Sequence, residues 1–167
     1  MAKRAAKSAS LNRSATLKRS ATTQAKAPAK PRAYVLDDQI GFILRQVWQR
    51  HTMIFARDIG SGLTPTQWAA MSKLVETGPC SQNQLGRLTA MDVATIKGVI
   101  DRLTARGLTE TSKDPQDGRR LLVRLTRAGQ QLAEKTAPHA LAVSRETLAP
   151  LDAKERETLL MLLNKLR

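Results

Sequence analysis

Between Ser81 and Gly107 the sequence sets two short helical patterns almost end to end: SQNQLGRL, then DVATIKGVIDRLTARG. Each carries its own start signal. Ser81 followed by Gln84 fits a capping box, in which the serine oxygen takes an amide proton and the glutamine side chain reaches back. Asp92 is a strong N-cap for the second helix, and Gly107 fits a left-handed C-terminal cap. At 100° per residue, Ile96, Val99, Ile100 and Leu103 fall on one face of that helix. Ala94, Lys97, Gly98, Asp101, Arg102 and Ala105 fall on the other, with Thr95 at the edge.

Two short helices joined by a tight turn read as a helix-turn-helix, whose second helix enters the major groove of DNA. Gly98 sharpens that reading. A glycine inside a helix costs about 1 kcal/mol relative to alanine, yet here it sits outward, one turn from Ala94. Small residues allow close approach to base edges, while Thr95, Lys97 and Arg102 supply donors beside them. Arg and Lys favour guanine edges, and Asp101 can accept from cytosine or orient Arg102.

A hairpin comes next along the chain. LTETSKD and RLLVRLT are strand-like, and Asp117-Gly118 between them is a strong turn signal. A hairpin directly after a recognition helix is a wing. Arg119 and Arg120 fall at its tip and Lys113 at its base, and guanidinium groups there suit a narrow minor groove. Asp117 reads as the acceptor that supports the wing loop. The candidate DNA contacts are therefore Ser81 and Gln82 at the start of the first helix, Ala94, Thr95, Lys97, Gly98, Asp101 and Arg102 on the second, and Lys113, Arg119 and Arg120 on the wing.

Charge agrees with such a partner. The chain of 167 residues has a formal net charge of +14, which favours polyanions. Nine of those charges lie in residues 1–33, which contain no acidic residue and few large apolar ones, so a disordered basic tail is expected there. At 3% aromatic residues, base-stacking platforms are poorly supported. No apolar run is long enough to span a membrane. The lone cysteine, Cys80, excludes an internal disulfide framework and fits a reducing cytoplasm. The only histidines are His51 and His139, with no metal-ligand spacing, phosphate loop or nucleophile motif around them. No enzymatic chemistry is indicated.

The remaining segments are helical. Leu36, Ile40, Ile43, Val47 and Ile54 recur at helical spacing, and Phe42, Trp48 and Phe55 widen the stripe. LTPTQWAAMSKLVETG starts at Thr64 with Pro65 in its first turn and stops at Gly78. Between 127 and 149 a pattern through Leu132, Ala140 and Val143 holds Pro138, expected to kink or split it. LDAKERETLLMLLNKLR, capped by Asp152, closes the chain. The terminal helices carry more apolar surface than a small winged core needs, which points to a homodimer. The expected fold is mainly α with a small β-hairpin wing: a tail at 1–33, a dimerisation region at 34–62 and 127–167, and a winged helix-turn-helix at 63–126.

In order and spacing, LTPTQWAAMSKL, GPCSQNQLGRL, DVATIKGVIDRLTARGL and DPQDGRRLLVRLTRAG resemble the MarR family of bacterial winged-helix regulators, over roughly residues 36–167. The resemblance implies a dimer with interlocked terminal helices, each subunit offering one winged helix to half of a palindromic double-stranded operator. Arg119 would be its minor-groove arginine and Asp117 the supporting acid. Gly98 stands where many relatives carry a polar side chain, so base preference does not transfer. Such regulators respond to small aromatic, often phenolic or carboxylic, effectors and need no cofactor. By that resemblance Arg45, Trp48, His51 and Thr52, with Trp68 and Met71, would line the effector site. GFILRQVWQRHTMIF and LTAMDVATIKGVIDRL also look like regulators of nicotinate breakdown, which implies 6-hydroxynicotinate. The implied setting is the bacterial cytoplasm, on the nucleoid when DNA is bound. Two other readings stand beside this one: a sequence-indifferent nucleoid protein using the basic tail, and an oxidant sensor using Cys80.

Overall fold

Ser, Thr and Asp residues open every α-helix after the first. The computed structural model describes residues 33–115, 117–118 and 121–166; all but the last residue of the expected tail at 1–33, and Arg119 and Arg120 at the wing tip, lie outside the described residues. A single 3-10 turn at Leu36–Asp38 leads into α1 (Ile40–Asp58). Then come α2 (Pro65–Thr77), β1 (Cys80–Ser81), α3 (Gln82–Leu88), α4 (Val93–Ala105), β2 (Thr109–Lys113), β3 (Leu121–Leu125), α5 (Arg127–Thr147) and α6 (Ala153–Asn164).

The caps explain the boundaries. At α2 the Thr64 hydroxyl accepts from the Gln67 amide while the Gln67 side chain accepts from the Thr64 amide. Asp152 and Glu155 make the same reciprocal pair at α6. Thr126 caps α5 through the Gly129 amide. Gly107, at φ +67°, takes the left-handed conformation that ends the turn after α4.

The core lies where α2, α3, α4 and the sheet meet α1 and α5. Met71, Leu85, Ile96, Val99, Leu103 and Val143 are fully enclosed there. Two features differ from the sequence expectation. The hairpin is part of a three-stranded antiparallel sheet in the order β1-β3-β2, because Cys80 and Ser81 pair with Val123 and Leu122. Pro138 does not split its helix: α5 runs unbroken past it. Of the expected kink or split only the split is absent; proline there removes one helical hydrogen bond and crowds the carbonyl four residues earlier, at a cost of about 3 kcal/mol.

The apolar residues of the terminal helices stay largely uncovered within the chain. Ile40, Ile43, Leu44 and Val47 on α1, and Leu160 to Leu163 on α6, are all exposed. No residue of α6 is buried. Among the described residues no helix is long and apolar enough to cross a membrane, and no cluster of metal-binding side chains occurs.

Candidate nucleic-acid interface and effector groove

Recognition begins with a rigid helix start. The Asp92 carboxylate accepts from the Thr95 amide and the Thr95 hydroxyl, both at 2.8 Å. These bonds hold its carboxyl below the usual range, so the cap stays ionised. They also occupy the Thr95 hydroxyl proton. Helix α4 divides as its periodicity requires: Ile96, Val99, Ile100 and Leu103 are buried, while Ala94, Thr95, Lys97, Asp101 and Arg102 are exposed.

The outward charges are arranged in a specific way. Asp101 accepts from Lys97, one turn earlier, at 2.7 Å. It therefore holds Lys97, and Arg102 takes another position. The Arg102 guanidinium lies over Gly98, where a methyl group would stand 3.4 Å from its nearest nitrogen. The Arg102 cation is thus the one neighbour that a side chain at 98 would touch, in ordinary van der Waals contact. Both ends of this small outward patch, Ala94 and Gly98, lack bulk.

Around this helix, Ser81 caps α3 by accepting from the Gln84 amide at 3.3 Å, and Gln82 begins that helix, half-buried. The turn between α3 and α4 places Ala90 at φ +53°, a left-handed conformation unusual for a side chain. Lys113 ends β2, exposed, opposite Leu121. Asp117 and Gly118 are exposed in the connection beyond it. Cys80 is 3% exposed, packed into the core from β1. A thiol so enclosed lacks the access that reactive cysteines need.

On α1, Trp48 and His51 stack with ring centroids 5.5 Å apart and planes at 26°. The His51 Nδ1 shares a hydrogen bond of 2.9 Å with the Thr147 hydroxyl of α5. That hydroxyl also lies 2.8 Å from the Val143 carbonyl, to which it donates. In this arrangement His51 Nδ1 donates to Thr147. Partial burial pushes the imidazole below its ordinary pKa of 6.5. Trp48 and Thr52 line a shallow, mainly apolar groove of about 640 Å³ with Met53 and Ala56.

The other expected effector residues are dispersed. Arg45 is exposed one turn before Trp48, outside that groove. Trp68 lines a separate groove with Val75, Ala133 and Ala137. Met71 is wholly buried in the core. One contact escaped the sequence reading altogether. Arg106, the C-cap of α4, donates to the Ser61 and Gly62 carbonyls at 2.8 and 3.1 Å, tying recognition helix to the α1–α2 loop. An exposed arginine 45 positions away gives no local signal of such a partner.

Comparison with known proteins accords with this geometry. Residues 63–121 match the MarR family. The HTH-type transcriptional repressor NicR of Pseudomonas putida is 39% identical over 143 residues, 85% of this chain and 90% of that protein. A crystal structure of a probable transcriptional regulator from Pseudomonas aeruginosa is 61% identical, with a TM-score of 0.78, covering 80% of this chain and all of the other. Bordetella bronchiseptica BpsR, whose DNA binding is regulated by 6-hydroxynicotinic acid, is 38% identical with a TM-score of 0.76, over 80% of this chain and 96% of its own. These relatives are transcriptional regulators, not enzymes. With the capped helix-turn-helix, the wing strands and this likeness over most of its length, the chain belongs to the MarR family of transcriptional regulators.

Proposed function

We propose that the protein is a homodimeric repressor that occupies a pseudo-palindromic operator and leaves it when a small aromatic carboxylate binds. The observation that carries this reading is the outward face of α4: two small residues flanked by Thr95, Lys97 and Arg102 on a rigidly capped helix. Gln82 and Ser81 at the start of α3, and Lys113, Arg119 and Arg120 of the wing, supply phosphate and minor-groove contacts, with Asp117 supporting the wing. The exposed rows on α1 and α6 form the interface between copies. Two α4 helices must then sit about 34 Å apart to reach successive major grooves.

Likeness to NicR and BpsR supports 6-hydroxynicotinate as the effector and nicotinate degradation as the controlled process. A planar anion would lie against Trp48 and Thr52, close to His51, with Arg45 available to its charge and Trp68 and Met71 behind the helix pair. Binding would favour a helix separation that no longer fits the operator. The protein acts in the bacterial cytoplasm, on the nucleoid while DNA is bound.

Fluorescence anisotropy with DNA from upstream of its own gene tests the reading. Arg102→Ala and Arg119→Ala should each weaken binding and lower the slope of log affinity against log salt by about 1. Loss of every site preference under excess random DNA would leave only a sequence-indifferent binder.

A further inference from the structure

Val93, the first residue of α4, is 67% exposed, more than any other large apolar side chain described between Leu63 and Thr126. Its place on the helix makes this unexpected. At 100° per residue Val93 lies about 20° from Ile100, and Ile100 is buried. The first turn of α4 therefore runs past the core that encloses the later turns. Helix formation does not account for the residue either. Valine ranks below alanine, leucine and lysine as a helix former, and the cap is made by Asp92 through the Thr95 amide and hydroxyl. Positions 93, 94, 97, 98 and 101 share a strip about 140° wide. Val93 is thus continuous with the outward face of Ala94, Lys97, Gly98 and Asp101. Lys97, one turn on, donates to Asp101 at 2.7 Å. Val93 has no polar group to satisfy, and only an apolar surface relieves its exposure.

We propose that Val93 reads the C5-methyl group of a thymine in each half of the operator, an inference that rests on the proposed DNA-binding role of α4. The opening residues of a recognition helix are those that meet base edges in the major groove. Along that groove the bases present donors and acceptors, and a single apolar group, the thymine methyl. A valine side chain neither donates nor accepts a hydrogen bond, so the methyl is the feature it selects. Small neighbours at 94 and 98 let the helix come close enough for the contact. Lys97 and Arg102 then supply polar contacts to other positions, and each preferred half-site carries a thymine at one fixed place. A sugar in the same position would give Val93 a contact without any base preference.

The test uses the full chain. Duplexes preferred by the native chain are selected from a random library, and each thymine is replaced singly by deoxyuridine, which removes the methyl group and leaves base pairing unchanged. At one thymine in each half-site, anisotropy should show affinity falling about fourfold, the worth of one buried methyl group. Val93→Ser keeps a residue suited to a helix start and should melt like the native chain. It should bind the thymine duplex about fourfold more weakly per half-site, and no longer distinguish thymine from uracil there. A variant merely damaged in its fold would lose affinity for both duplexes alike and keep their ratio. An unchanged thymine-to-uracil ratio in Val93→Ser overturns the proposal. So does a ratio lost in Ala94→Gly but kept in Val93→Ser, which assigns the methyl to Ala94. A preferred duplex with no uracil-sensitive thymine sinks this proposal alone; a library that yields no preferred duplex sinks the proposed function with it.

Discussion

Gly129, in the first turn of α5, rests directly on the backbone of Leu108. A methyl group there would overlap the Leu108 carbonyl oxygen and stand 3.0 Å from its carbon. The junction is closed by Thr126, whose amide donates to the Leu108 carbonyl at 3.1 Å and whose hydroxyl donates to the Gly107 carbonyl at 2.6 Å. Backbone cannot yield as a flexible side chain can, so Gly129→Ala should destabilise the fold by about 3 kcal/mol. Urea denaturation would register this as a lower midpoint at unchanged slope. A native midpoint would mean that α5 can slide away from Leu108.

The opposite outcome is expected at Gly98. Alanine there meets only the end of the Arg102 side chain, so Gly98→Ala should raise stability by up to about 1 kcal/mol through helix propensity. It should also weaken operator binding, because the methyl group fills the outward patch beside Ala94. Unchanged operator affinity in a stabilised variant would show that close approach at Gly98 plays no part in recognition.

Ala90 offers a check on the turn itself. At φ +53° its side chain is strained, and Ala90→Gly should relieve that strain, stabilising the fold by about 1 kcal/mol less the added freedom of the unfolded chain. Thermal melting of the pair measures the balance. A clear loss of stability would show that the Ala90 methyl packs productively against its surroundings.

His51 gives the fold a pH dependence whose sign is set by its burial. Its folded pKa lies below the unfolded value of 6.5. The unfolded chain therefore takes up the proton first as pH falls. The contribution is complete above the unfolded value and is lost as pH drops through the folded one. Replacing it in His51→Gln should flatten the fall in melting temperature on the acid side of 6.5. An aromatic carboxylate seated beside His51 would favour the imidazolium, so binding just below that pH should take up protons. Calorimetry in buffers of different ionisation enthalpy reads this directly, and no buffer dependence would separate the ligand from His51.

What the sequence made legible was local chemistry. Thr64, Asp92 and Asp152 each announce a helix start because their side chains satisfy amides within a turn. The alternation of buried and outward residues on α4 comes from a period of 3.6 residues and needs no tertiary information. Nothing local signals β1, two residues long and paired with Val123 and Leu122. The bond from His51 to Thr147 spans 96 positions, and the Arg106 grip on the α1–α2 loop spans 45. Both depend on how helices pack. The expected effector set drew on residues from two helices, and packing sends them three ways: Trp48 and Thr52 to a surface groove, Trp68 to another, Met71 into the core.

Helix α6, with nothing buried along its length, has a consequence for the cell. In the proposed dimer the apolar row of α6 is shielded only once a second copy arrives. Below the concentration at which copies pair, the population of dimer grows as the square of chain number. A halved supply of chains would then cost about three-quarters of the paired species, so occupancy of the proposed operator would fall more steeply than chain number.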